Sequence, residues 1–138
     1  MSTFVYKVNP TGGAGQYSGD WFVFFSEPQP CDWGLAEIVC TQCRPQSGDR
    51  IICYQSNIRE IVGTARVVGY RHGKLMLHAT EGPFPRGIKI TDLKKIDRRI
   101  RDLDAFQQGV IRTLYPISED DADHLLSTIK RFWVDADD

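Results

Sequence analysis

Four residues in mid-chain, Tyr54-Gln55-Ser56-Asn57, set an aromatic ring beside three short hydrogen-bonding side chains at the end of an apolar run. A flat polar ligand asks for that combination: a ring face to stack on and rigid partners for its edge. Trp33, within Cys31-Asp32-Trp33-Gly34, offers a second ring on a predicted loop. Each feature also has an ordinary reading. Tryptophan packs in cores, and serine and asparagine favour turns on their own account.

Other chemistry has less to build on. Catalysis would need an activated nucleophile or an acid–base pair, and His72, His78 and His124 fall on a predicted turn, strand and exposed helix position. No histidine neighbours a cysteine or serine in an activating arrangement, so the chain is read as a non-enzyme with no cofactor. Cys40-x-x-Cys43 has zinc-ligand spacing, but no second close pair comes after it. Cys53 lies in a predicted buried strand, where a thiol behaves as a small hydrophobe. Reduced structural thiols and no bound metal are the expectation. Thr11-Gly12-Gly13-Ala14-Gly15 is glycine-rich but lacks the lysine and following helix of a phosphate-cradling loop.

The 138 residues carry a formal charge of −1, with 41% hydrophobic and 25% charged content. That length supports a core without metal or disulfides, and the charge excludes histone-like non-specific binding. Seven of the eighteen acidic residues lie from Glu119 onward, leaving residues 1–117 with fifteen basic against eleven acidic, a body of +4. Either this is a solvated surface with an acidic tail, or a basic face meets phosphates while the acidic helix turns away. No apolar run reaches membrane-spanning length and no secretory signal is visible, so a cytoplasmic protein is expected.

Periodicity predicts the elements that must position these residues. Phe4–Val8 alternates as a strand. The aromatic run 20–26 is a buried strand or a short helix capped by Ser18 or Asp20, and residues 35–43 have helical propensity. Arg50–Tyr54 is apolar on both parities and so is predicted buried on both faces. Ile61–Gly69 puts Ile61, Gly63, Ala65 and Val67 on one parity, and Gly63 marks close approach by another element or a ligand. His72-Gly73 turns into Lys74–Ala79 as a hairpin. Ile88–Ile90 reads as a brief strand and Thr91–Arg101 as a helix capped by Thr91, with Leu93, Ile96 and Ile100 facing the core. Residues 104–109 form a further helical turn. Ser118 caps a final helix whose first turn is acidic and whose buried stripe is Leu125, Leu126, Ile129, Phe132 and Trp133. The sum is an α+β chain: about five mostly antiparallel strands in a curved sheet or partial barrel, with several short helices.

The stretch Gly48–Asn57 together with Ile61–Val67 resembles the EVE domain of the PUA-like superfamily. It has that family's glycine-aspartate entry to a strand, its aromatic-x-serine-asparagine end and its isoleucine-valine-glycine second strand. Tyr6-Lys7-Val8-Asn9-Pro10 is similar to the family's first strand, and Phe106 to Ile117 to its closing segment. The resemblance implies one PUA-like domain over residues 1–134, with 135–138 a frayed acidic tail. EVE domains are similar to YTH domains, which hold a methylated base in an aromatic cage, and some are fused to restriction nucleases that read modified DNA. The resemblance therefore implies a reader that binds a modified, methylated base flipped out of DNA or RNA.

On that reading Tyr54, Ser56, Asn57, Lys7 and Asn9 line the pocket and Trp33 is a cage wall. A methyl group adds contact of the order of ~1 kcal/mol against such a wall, and a base must leave its stack to reach it. Flanking phosphates would meet Arg86, Lys94, Arg98, Arg99 and Arg101, or Arg71 and Lys74 at the hairpin tip. Its partner is nucleic acid, with a separate nuclease or defence-system subunit as a further one. The alternatives are a pocket for a small nucleotide or metabolite, and a non-catalytic subunit that binds partners through Phe132-Trp133.

Overall fold

The computed structural model describes residues 1–11, 19–32, 44–85, 87–107 and 113–133. Its centre is a six-stranded sheet: β1 (Thr3–Val8), β2 (Cys31–Asp32), β3 (Arg50–Gln55), β4 (Glu60–Arg71), β5 (Lys74–Glu81) and β6 (Leu114–Ile117). The spatial order is β2-β5-β4-β3-β1-β6, open at both ends. Only the central β1–β3 pair is parallel; the other neighbours are antiparallel. The expected sheet of about five strands is thus present, with the two-residue β2 as a sixth.

Both faces are covered, as the two-sided apolar pattern of β3 requires. Ile51 and Cys53 join Phe4, Tyr6, Val8, Ala65, Val67, Leu75 and Leu77 on one face, sealed by Trp21 and Phe24 of α1 (Trp21–Ser26). Ile52 and Tyr54 join Val5, Ile61 and Tyr115 on the other. That second face is covered by α2 (Ile90–Ile96), α3 (Arg98–Arg101), a 3₁₀ turn (Asp104–Phe106) and α4 (Glu119–Arg131).

A bulge between Cys53 and Tyr54 shifts the register from Cys53↔Gly63 to Tyr54↔Ile61. An extra residue in one strand reverses its later side chains relative to the partner. Ile61 therefore packs with the second core while Ala65 and Val67 pack with the first. The expectation that Ile61 shares a face with Gly63, Ala65 and Val67 is corrected by that bulge.

The aromatic run resolves as helix α1, where the Asp20 carboxylate accepts from the Phe22 amide. His72 and Gly73 both have positive φ, 53° and 75°, the turn that matches strand twist. Ser118 caps α4 as expected, accepting from the Asp121 amide at 3.1 Å.

Three expectations are overturned. Residues 88–90 form no strand: only Lys89 is extended as the N-cap, and Ile90 already opens α2 and is buried. The helix over 91–101 is two helices. Asp97 ends the first and, with its carboxylate accepting from the Ile100 amide, starts the second. The chain turns there, so Leu93 and Ile100 are buried while Ile96 is 63% exposed. Phe132, expected in the buried stripe, is exposed one residue past the helix end, while Trp133 is partly buried against the second core with its ring tilted on Phe84. Residues 12–18, 33–43 and 108–112 and the tail 134–138 lie outside the described residues, and with them Trp33, the expected 35–43 helix, Cys40 and Cys43.

Candidate functional site

The parallel pairing of β1 and β3 brings two of the predicted pocket segments to one end of the sheet. Lys7 is the register partner of Tyr54 and Val8 of Gln55. The Ser56 amide then donates to the Val8 carbonyl at 2.8 Å, extending the ladder one step. Asn9 and Ser56-Asn57 thus leave neighbouring strand ends. Trp21 ties those ends together from below. Its Nε1 donates to the carbonyl oxygens of Tyr6 (3.3 Å) and Tyr54 (3.1 Å), and its amide donates to Gln55 Oε1 at 2.8 Å.

Lys7 is the most unusual group here. Its side chain is 6% exposed, and its ammonium lies over the rings of Tyr115 (4.7 Å), Tyr54 (5.6 Å) and Phe106 (5.7 Å). Ring faces attract a cation, and more strongly where water is excluded. The attraction is incomplete compensation for lost hydration: burial first, and the neighbouring Lys94 ammonium second, bring the Lys7 pKa down from 10.5 to about 8. Burial likewise pushes the Tyr54 hydroxyl up to about 12. That hydroxyl therefore stays protonated and able to donate at neutral pH.

The turn from Ser56 to Arg59 is short and fixed at both ends. The Arg59 amide donates to the Gln55 carbonyl at 2.9 Å, and the Arg59 carbonyl accepts from the Ile90 amide at 2.7 Å, pinning α2 beside the turn. Arg59 takes a φ of 59°, a left-handed conformation that is uncommon for a side-chain-bearing residue. Ser56 Oγ is buried and has no hydrogen-bond partner among the described residues. Leaving a buried hydroxyl unpaired costs about 1–3 kcal/mol, which a ligand's donor or acceptor would recover. Asn57, by contrast, is exposed. Asn9 is partly committed, its Oδ1 accepting from the Thr11 amide and hydroxyl at 3.1 and 2.7 Å.

The basic residues do not gather as one patch. Arg71 and Lys74 sit at the far end of β4, whose twelve residues at ~3.3 Å each carry them roughly 35 Å from Glu60, the partner of Gln55. Arg99 Nε donates to Asp121 Oδ1 at 2.7 Å and Arg101 Nε to Asp102 Oδ1 at 3.0 Å. Lys94 Nζ donates to the Phe106 carbonyl at 2.5 Å. Arg98 is exposed with no ion pair among the described residues. Arg86 lies outside the described residues.

The acidic first turn of α4 is not turned away from the basic body. Arg50 reaches Glu119 (3.2 Å) and Asp123 (3.1 Å), and Arg99 reaches Asp121. His124, expected exposed, is half-buried with Nε2 2.8 Å from Asp97 Oδ2. Sequence reasoning also missed Phe106 and Tyr115 as walls around Lys7 and Trp21 as the floor. Their aromatic type was the only signal, and it does not distinguish them from other core rings. A separate cavity of about 680 Å3 opens at the other end of β1. The carboxylates along it are engaged: Asp49 by the Ser2 and Gln46 amides, Glu119 by Thr3 and Arg50.

No family model matches the chain, and no curated protein matches it in sequence. Solved structures do match its fold. Rpa0253 from Rhodopseudomonas palustris superimposes with a TM-score of 0.65 at 16% identity over 95% of this chain and 94% of its own. Human THYN1, solved in complex with 5-methylcytosine-containing DNA, gives 0.65 at 12% identity over 94% and 98%. The chain carries the fold of these two proteins. Atu2648 from Agrobacterium tumefaciens superimposes with a TM-score of 0.65 at 14% identity, over 93% of this chain and 92% of its own. Among the described residues, no helix is long and apolar enough to cross a membrane, and no cluster of His, Cys, Asp or Glu is placed to hold a metal.

Proposed function

We propose that this protein binds DNA carrying a methylated base and reads that base, flipped from its stack, at the carboxyl ends of β1 and β3, without chemistry of its own. The observation that carries the reading is local. A buried Ser56 hydroxyl without a partner among the described residues stands beside the exposed Asn57, at the strand end that bears Tyr54 and Lys7. A base edge supplies the donors and acceptors such groups need, and a ring supplies the stacking surface. The fold match to THYN1, whose structure holds 5-methylcytosine DNA, supports the same ligand class. Trp33 is the proposed cage wall, and residues 1–134 act as one unit. The buried, unbridged thiol of Cys53 suits a reducing cytoplasm.

The test is fluorescence anisotropy with one oligonucleotide containing 5-methylcytosine, its cytosine counterpart and the same sequence as RNA. The wild type should prefer the methylated DNA. Trp33→Ala and Asn57→Ala should each lose that preference with the thermal midpoint little changed. Unchanged preference in both variants overturns the pocket.

A further inference from the structure

We propose that Lys7, with Lys94 beside it, forms an anion site that takes a backbone phosphate of the flipped nucleotide. This rests on the base-reading function above and deepens it, moving Lys7 from the base to the sugar-phosphate.

The case begins with what surrounds the ammonium. Lys7 is more than nine-tenths buried, and among the described residues its Nζ meets three ring faces and no hydrogen-bond acceptor or carboxylate. An ammonium has three donors and no acceptor. Rings satisfy its charge in part but none of its hydrogen bonds. The titratable and charged groups around it are the Tyr54 hydroxyl from β3, Tyr115 from β6, Lys94 from α2 and, beside Tyr54, Arg59 from the turn. None is an acid. A second cation, Lys94, lies close enough to disfavour the charge on Lys7. Among the described residues, two cations and no anion in a ring-walled place make a field complementary to a negative oxygen.

Position selects the source of that oxygen. Lys7 is the register partner of Tyr54, which lies at the end of β3 that carries the proposed base site, with Nζ 5.6 Å from the ring centre. A group at that strand end lies within one nucleotide's span of Ser56 and Asn57, which directly follow the strand. The arginines of α3 are poorer candidates, since Arg99 and Arg101 already hold Asp121 and Asp102. Charge-assisted bonds from an ammonium to phosphate are among the stronger ones available to a side chain.

The experiment compares 5-methyl-2′-deoxycytidine, 2′-deoxycytidine and 5-methyl-2′-deoxycytidine 3′,5′-bisphosphate by calorimetry at pH 7. The bisphosphate should bind about tenfold more tightly than the methylated nucleoside, the increment of a charge-assisted contact. Lys7→Met should lose that increment, so that the bisphosphate binds it no more tightly than the methylated nucleoside does. Retention of the whole increment in Lys7→Met overturns the anion site. Absence of methyl preference in the wild type overturns the base-reading function instead. In parallel, inorganic phosphate is titrated into the wild type while the Lys7 side-chain resonances are followed by NMR. A shift at Lys7 with a rise in its titration midpoint supports the site, and no change at Lys7 overturns it without any variant.

Discussion

Gly63 and Phe25 are packed so closely that a Cβ at position 63 would stand 2.4 Å from Phe25 Cζ and 2.4 Å from the Glu81 carbonyl oxygen. The mid-strand glycine of β4 is therefore a contact point for α1, not an opening for a ligand. The helix that rests on it is the one whose Trp21 binds the ends of β1 and β3. Gly63→Ala should destabilise the protein by about 1–3 kcal/mol, the range for overpacking a filled site. Urea unfolding measures it. The companion Phe25→Ala in the same background should recover only part of the loss, because the Glu81 carbonyl is backbone and cannot yield.

How far this arrangement was legible in the sequence depends on the kind of signal. Strand β3 was readable because four consecutive apolar residues allow little except burial on both faces, and Ser118 because a cap is chemistry local to four residues. The parallel pairing that sets Lys7 beside Tyr54 was not readable from spacing, since forty-seven positions separate them. The resemblance placed both residues in one pocket but not on paired strands. The register slip that moves Ile61 across the sheet left no trace, because a bulge inserts a residue without changing its type. Asp97 shows the same limit. Its role as the end of one helix and the start of the next belongs to backbone geometry, and the helical spacing of Leu93, Ile96 and Ile100 across it hid it. The partners of His124 and Arg99 are set by how α3 meets α4, which no periodicity encodes.

That meeting yields a second prediction. Arg98 is exposed and unpaired among the described residues, whereas Arg99 holds Asp121 in the capped first turn of α4. If α3 borders the bound DNA, Arg98→Glu should weaken binding to methylated and unmethylated oligonucleotides alike, and the slope of log K against log salt should fall by about one unit. Its unfolding midpoint should barely move. Arg99→Glu should lower stability as well, by about 0.5–1 kcal/mol, since it sets two acids face to face where an exposed pair stood. A salt slope unchanged in Arg98→Glu would remove α3 from the interface.

Trp21→Phe tests the floor. The substitution keeps an aromatic ring but deletes the indole N–H shared by the Tyr6 and Tyr54 carbonyls. Those carbonyls belong to the paired strands that carry Lys7 and Tyr54. A loss of about 1–3 kcal/mol is expected from the missing bonds and the smaller ring. Hydrogen exchange should show it locally, with faster exchange at the Ser56 amide than at amides of β4 and β5. Uniform acceleration across the sheet would mean that Trp21 acts only through core volume.

The strongest prediction concerns pH, and its sign is set by Lys7. The folded protein holds this lysine with a pKa of about 8, against 10.5 ordinarily, because burial and then Lys94 disfavour its charge. Between those two values the unfolded chain binds more protons than the folded one, so stability must rise with pH across that interval. Below about pH 8 both states are charged and the folded state carries the full cost. Above about 10.5 both are neutral and the cost is gone. The slope from this one group can approach but not exceed about 1.4 kcal/mol per pH unit. Chemical denaturation from pH 7 to 10.5 should reveal it as the wild-type minus Lys7→Met difference, which cancels the titration of the other lysines and tyrosines. Lys7→Met, with an apolar side chain of similar reach under the same three rings, should be the more stable protein at pH 7 and lose its advantage as the pH climbs. A difference that stays flat from pH 7 to 10.5 would show that Lys7 titrates as an ordinary surface lysine, and with it the desolvated ammonium on which the anion site depends would be gone.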